Sequence, residues 1–154
     1  MASMPKQDPS LTLALLQARE AAMSFFRPLL NQYELTEQQW RVIRILSQYP
    51  NGELESHQLA EMACILRPSM TGVLMRLERD GLVRRWKPAS DQRRLCVSLT
   101  PKGAELFEEM SGEMSRQYKE IQRQFGPENF QTLMRLLQEL GKITPGVQAG
   151  RKSA

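Results

Sequence analysis

Apolar positions along the chain recur at helical spacing, interrupted once by a run of period two. Ser10 is a helix-capping residue type, and behind it Leu11, Leu15, Ala18, Ala22, Phe25 and Leu29 mark one helix face. Leu16, Met23, Phe26 and Leu30 mark a second face of the same stretch. The pattern predicts one helix from Ser10 to about Gln32, kinked where the Pro28 ring removes a backbone donor, with two burial partners. Thr36-Glu37-Gln38-Gln39 has the Thr and Gln of a capping box. It opens a helix that buries Trp40, Val42, Ile43 and Leu46, and a turn at Pro50-Asn51-Gly52 closes it.

A short helix is expected over Glu55–Ile65, with Leu59, Met62 and Ala63 inward. Leu66-Arg67-Pro68-Ser69 interrupts it, and Pro68 suits the first position of the next helix. That helix runs to Asp80, with Met70, Val73, Leu74 and Leu77 on its apolar face and Ser69, Gly72, Met75, Arg76 and Arg79 opposite. Gly81 is the residue type that stops a helix in a left-handed conformation. The period then becomes two over Leu82–Lys87 and again over Leu95–Leu99, with turn chemistry at Pro88-Ala89-Ser90-Asp91-Gln92-Arg93, a hairpin with a basic tip. Thr100-Pro101 opens a long helix through Phe125, striped by Phe107, Met110, Met114, Tyr118, Ile121 and Phe125. Gly126-Pro127 opens a last one, striped by Phe130, Leu133, Leu137 and Leu140. Residues 1–9 and 145–154 read as flexible tails around a single domain at 10–144, whose winged core spans about 36–100.

Composition narrows the classes. A chain of 154 residues with 41% hydrophobic and 25% charged residues has the size and balance of one globular domain. No stretch approaches the roughly 20 apolar residues of a membrane span, and the N-terminus lacks the pattern of a secretory signal. Two cysteines and one histidine exclude most zinc sites and a disulfide-stapled fold. The expectation is a cytoplasmic protein with no metal, cofactor or membrane partner. An enzyme is disfavoured: His57 has no Ser or Cys placed for nucleophilic catalysis, and there is no Gly-rich phosphate loop.

Charge adds the direction. The net charge is +4, yet Cys64–Gly103 alone carries +6 and the remainder −2. The basic residues there are mostly arginines, whose planar fork matches phosphates and guanine edges. Short helix, turn, second helix with a basic outer face, then a basic hairpin is the layout of a winged helix-turn-helix. Such a helix enters the major groove of double-stranded DNA with its N-terminal residues at base edges, while an arginine-tipped hairpin suits the minor groove. Arg67, Pro68, Ser69, Thr71, Arg76, Arg84, Asp91, Arg93 and Arg94 are the candidate DNA-binding residues. The first and last helices carry more apolar surface than the winged core can cover. A homodimer on a pseudo-palindromic operator follows.

Asp91-x-Arg93, followed by Leu99-Thr100 and preceded by Leu77-Glu78-Arg79-Asp80-Gly81-Leu82-Val83, resembles the wing and the recognition-helix exit of the MarR family. The wing tip Ser90-Asp91-Gln92-Arg93-Arg94 departs from relatives that carry an extra acid and arginine before the signature. Three further blocks, Leu16–Ser24, Leu35–Arg41 and Cys64–Ser69, resemble the repressors of homoprotocatechuate and 4-hydroxyphenylacetate catabolism within it. The resemblance implies a mostly α, MarR-like homodimer with a hairpin wing. It implies a repressor released from its operator by a small aromatic carboxylate, with Asp91 steadying the wing and Arg93 entering the minor groove. It also implies an effector site between the dimer helices and the winged region, with a carboxylate-binding arginine on the first helix. Arg19 is the candidate there, with Met23, Phe26, Trp40 and Met70 as walls. The alternative is a regulator of the same type that senses another phenolic compound, or an oxidant through Cys64, whose pKa Arg67 could lower. A winged helix used only for protein contacts or DNA coating is a further rival.

Overall fold

The computed structural model describes residues 9–50 and 54–146. Most of both predicted tails and of the Pro50-Asn51-Gly52 turn lies outside them. The chain divides into two compact units, one up to Gln117 and one from Tyr118 onward.

The first stretch is two helices, not one kinked helix: α1 (Leu11–Met23) and α2 (Arg27–Gln32). Ser10 caps α1 as expected, its hydroxyl accepting from the Leu13 amide at 3.3 Å. The break falls upstream of Pro28 because a proline ring collides with the carbonyl four residues earlier, here that of Ser24. The amides of Phe25 and Phe26 instead close tight turns onto Ala22 and Met23, and Pro28 sits in the first turn of α2. No residue of α1 is buried, so the two burial partners expected for it are not supplied among the described residues. Phe26, Leu29 and Leu30, at and within α2, are buried.

Helix α3 (Glu37–Ser47) begins with the predicted capping box. The Gln39 amide donates to Thr36 Oγ1 at 3.1 Å, and the Thr36 amide to Gln39 Oε1 at 2.9 Å. A two-residue strand β1 (Leu54–Glu55) precedes α4 (Ser56–Ala63), so the predicted short helix Glu55–Ile65 starts later and ends earlier than expected. Leu59 and Ala63 point inward, but Met62 is exposed and Ala60 takes the inner place. Helix α5 (Arg67–Arg79) has Pro68 at its second position, not its first, and stops one residue before Asp80. Gly81 follows at φ +74°, the conformation glycine tolerates without cost.

Strands β2 (Val83–Trp86) and β3 (Cys96–Leu99) form the hairpin, and β1 adds a third antiparallel strand in the order β1-β3-β2. Leu54 pairs with Val97, and Val83 with Leu99. The core of this unit is Val42, Ile43 and Leu46 from α3, Leu59 from α4, the Met70-Val73-Leu74-Leu77 stripe of α5, Val83, Val97 and Met110. Helix α6 (Pro101–Phe125) starts against the hairpin. Thr100 Oγ1 accepts from the Gly103 amide at 3.1 Å and donates to the Gly81 carbonyl at 2.6 Å. A Cβ at residue 103 would lie 2.1 Å from the Leu82 carbonyl oxygen, so only glycine fits this crossing.

The second unit holds the end of α6 and α7 (Pro127–Leu140). Gly126 makes the turn at φ +96°. Arg123 donates to Glu120 at 2.6 Å and, with Gln124, holds that carboxyl down at about 2. No residue of α7 is buried, and Leu133, Met134, Leu136 and Leu137 are exposed. Among the described residues no helix is long and apolar enough to cross a membrane.

Candidate nucleic-acid interface

The site is built on the turn from α4 to α5. Cys64 ends α4 in the left-handed conformation at φ +53°. The Ile65 amide closes back onto the Ala60 carbonyl at 3.0 Å, and the Ile65 side chain is buried. That fixes where α5 begins, and its buried stripe fixes which way it faces. Pro68, Ser69 and Thr71 are therefore exposed on its first turns, and Met75, Arg76 and Arg79 further along. This is the side by which a recognition helix meets base edges and phosphates. Cys64 itself is exposed, whereas Cys96 is buried.

The wing is internally braced. Asp91 Oδ1 accepts from the Arg93 amide at 3.0 Å and from Arg93 Nε at 3.1 Å. The same side-chain bond, with the backbone one, keeps the Asp91 carboxyl below the usual aspartate range. The Arg93 side chain is 92% exposed at the tip. Arg94 turns the other way. Its Nε donates to Glu55 Oε1, while Glu55 Oε2 meets His57 Nε2. Hydrogen bonding by Arg94 and then His57 holds the Glu55 carboxyl below its ordinary range, and Glu55 in turn raises the Arg94 pKa. Arg94 thus clamps the wing to β1 and the start of α4. Arg85 is bound to Glu78 at 3.1 Å, tying β2 to α5, and Arg84 lies over the Trp86 ring at 4.6 Å. Lys102 donates to the Asp80 carbonyl at 2.8 Å and supports the turn after α5.

The basic residues therefore split by task. Arg67, Arg76 and Arg93 are exposed, and Arg84 is exposed over its tryptophan. Arg85, Arg94 and Lys102 position the parts. A cleft of about 280 Å³ lies where α4, α5 and the wing meet, lined among others by His57, Arg67, Thr71, Arg93 and Arg94. Glu55, Glu78 and Trp86 are positioning residues that spacing along the chain does not reveal, because each acts on a residue of another element or strand position.

The candidate effector residues are dispersed over α1, the start of α2, α3 and α5. Arg19 is not sunk in an apolar slot. Its side chain is 42% exposed and donates to Glu37 at 2.5 Å, with Glu20 at 3.7 Å. Glu37 and Glu20 are shared with Arg27 at 2.9 Å each, a ring of two acids and two bases joining α1, α2 and α3. Burial opposes ionisation of Glu37, but the bonds from Arg19 and Arg27 outweigh it and its pKa falls; Arg27 likewise lowers that of Glu20. Met23 is half-buried and Phe26 buried. Trp40 is buried and stacks on Phe107 with centroids 5.7 Å apart. Met70 is buried beside the cleft at the wing.

With this geometry in place, known proteins are informative. The MarR family pattern matches residues 35–95. The homoprotocatechuate degradative operon repressor of Escherichia coli is 54% identical over 130 residues, which cover 84% of this chain and 86% of that protein. The crystal structure of the transcriptional regulator PA4135 superposes with a TM-score of 0.85 at 67% identity, covering 90% of this chain and all of that one. The regulator NadR, solved in complex with 4-hydroxyphenylacetate, superposes with a TM-score of 0.79 at 49% identity, covering 94% of this chain and all of that one.

Proposed function

The chain belongs to the MarR family, and from that premise we propose that it is a dimeric transcriptional repressor of an aromatic-acid catabolic operon of the homoprotocatechuate or 4-hydroxyphenylacetate type. It binds double-stranded DNA at a pseudo-palindromic operator and leaves it when a small aromatic carboxylate binds. The observation that carries this reading is the near full-length similarity both to a repressor of such an operon and to a regulator that holds 4-hydroxyphenylacetate. Its place of action is the cytoplasm, where the operator is. The comparisons give no support to oxidant sensing through Cys64.

Within this reading the winged core at about 36–100 is the DNA-reading part, and the apolar faces of α1 and α7 form the dimer. Arg67, Pro68, Ser69, Thr71 and Arg76 face the major groove and its phosphates. Arg93 enters the minor groove, Asp91 holds it there, Arg84 meets the backbone, and Arg94 fixes the wing through Glu55. The effector is held by Arg19 with Met23, Phe26, Trp40 and Met70. To take a carboxylate, Arg19 gives up Glu37, so the ligand changes how α1 is tied to α3. A 100-fold loss of operator affinity needs a coupling of roughly 2.7 kcal/mol, within the usual range for such regulators. The deciding experiment is a gel shift at fixed salt on the DNA flanking the chain's own coding sequence, titrated with hydroxyphenylacetates. A shift that 4-hydroxyphenylacetate or its dihydroxy relative dissolves supports the reading. A shift that only peroxide dissolves overturns it.

A further inference from the structure

The outward stripe of α5 has one feature that its packing does not explain. Positions 72, 75, 76 and 79 follow one helix face and line a shallow depression of about 340 Å³. They are Gly72, Met75, Arg76 and Arg79. Glycine inside a helix is unfavourable relative to alanine, because it loses the most backbone freedom. It is accepted where something must come close. Among the described residues nothing does: beyond its own helix, a Cβ at residue 72 would meet no atom within 4 Å. This contrasts with Gly103, where the Leu82 carbonyl forbids any side chain. Three residues on, Met75 is 56% exposed on a helix whose other apolar side chains, Met70, Val73, Leu74 and Leu77, are buried. An exposed thioether beside a missing methyl forms an apolar notch, and the flanking Arg76 and Arg79 give that notch a polyanionic partner.

We infer that Gly72 and Met75 form a specificity notch that receives the C5-methyl group of a thymine in each operator half-site. The inference rests on the operator-binding reading above and names what this face of α5 reads. The major groove offers one apolar group, the thymine methyl, among its hydrogen-bonding edges. A helix seated there with Arg76 on a phosphate or a guanine edge brings its i−4 and i−1 neighbours, Gly72 and Met75, toward the base floor. Gly72 lets the helix backbone approach the methyl, and the Met75 side chain, flexible and polarizable, closes over it.

The test is a thymine-to-uracil scan of the footprinted operator, measured by fluorescence anisotropy at constant salt with the full chain. Uracil keeps every hydrogen-bonding group and removes only the methyl. At one thymine per half-site the wild-type protein should lose about fourfold for one substitution and about fifteenfold for both, the value of one buried carbon per site. Met75→Ala should bind the thymine operator more weakly and no longer distinguish uracil there. Gly72→Ala should melt at a higher temperature than wild type, since helix propensity improves in open space, yet bind the operator less tightly. Specific binding with no uracil penalty at any position overturns the notch and leaves the repressor reading intact. A penalty that persists unchanged in both variants overturns it as well. Equal affinity for the operator and random DNA overturns both.

Discussion

At the residue scale, what separates a DNA-reading arginine from a structural one is its partner. Among the described residues Arg93 is bound to its own turn, through Asp91, and projects from the wing tip. Arg93→Ala should therefore leave the melting temperature unchanged and weaken operator binding about tenfold. The slope of log affinity against log salt should fall by about one per subunit, as for a lost phosphate-proximal cation. Arg19 poses the converse case. It contributes to a four-residue ring, but Arg27 keeps its own bonds to Glu37 and Glu20 at 2.9 Å. Arg19→Ala should thus fold and bind the operator normally while 4-hydroxyphenylacetate no longer releases it. Release at wild-type ligand concentrations in that variant, read in the same gel shift, refutes the assignment of Arg19.

At the scale of elements, local rules explain most of what the chain discloses before folding. The α3 capping box, the α5 apolar stripe with Gly81 beyond it, and the period-two strands are patterns confined to a few neighbouring residues, and the observed elements follow them. Strand β1 is invisible in the sequence because two residues cannot show an alternation; Leu54 and Glu55 are extended only because β3 lies beside them. Met62 and Ala60 exchange expected places because periodicity locates a face and not the space beneath it, and the small alanine fits under α4. The partners of Arg19 and Arg94 lie 18 and 39 residues away, so the candidate site was readable as a set of residues but not as a division between reading and bracing. The wing brace yields a pH dependence. Glu55 has its carboxyl pKa lowered by Arg94 and His57, so its ionised form favours the folded state. The stability it supplies is fully present above its ordinary value near 4.5 and is lost as pH falls through the lowered folded value. Glu55→Gln should melt below wild type at pH 7, and the gap between the two melting curves should close as the pH is taken below 4.5. A second element-scale contact is steric. Gly103→Ala forces a methyl into the rigid Leu82 backbone. It should cost about 3 kcal/mol, at the upper end for overpacking, seen as a fall in Tm of roughly 10 °C.

At the scale of the whole molecule, the question is what covers the helices that bury nothing. Leu11, Leu13, Leu15 and Leu16 on α1, and Leu133, Met134, Leu136 and Leu137 on α7, are all exposed in the single chain. A monomer rarely leaves an apolar stripe of that size uncovered on a helix. Two-fold association of like chains through these helices would bury the stripes on both copies at once and bring two α5 helices and two wings to one duplex. The second head then binds at an effective concentration set by the dimer and not by the bulk protein, which multiplies affinity without any new contact. The wild-type chain should accordingly run in light scattering at about twice its 17.7 kDa mass. The double variant Leu133→Glu/Leu137→Glu should run as a monomer, since a carboxylate buried without a partner is strongly disfavoured. Its winged core does not draw on these positions, as every core side chain named above precedes Gln117, so the near-ultraviolet signature of Trp40 and Trp86 should persist. Operator affinity should nevertheless fall by two orders of magnitude or more, roughly the avidity lost when paired sites are separated. A monomer that retained wild-type affinity would show that one winged core suffices, and a variant that remained dimeric would place the interface away from α7.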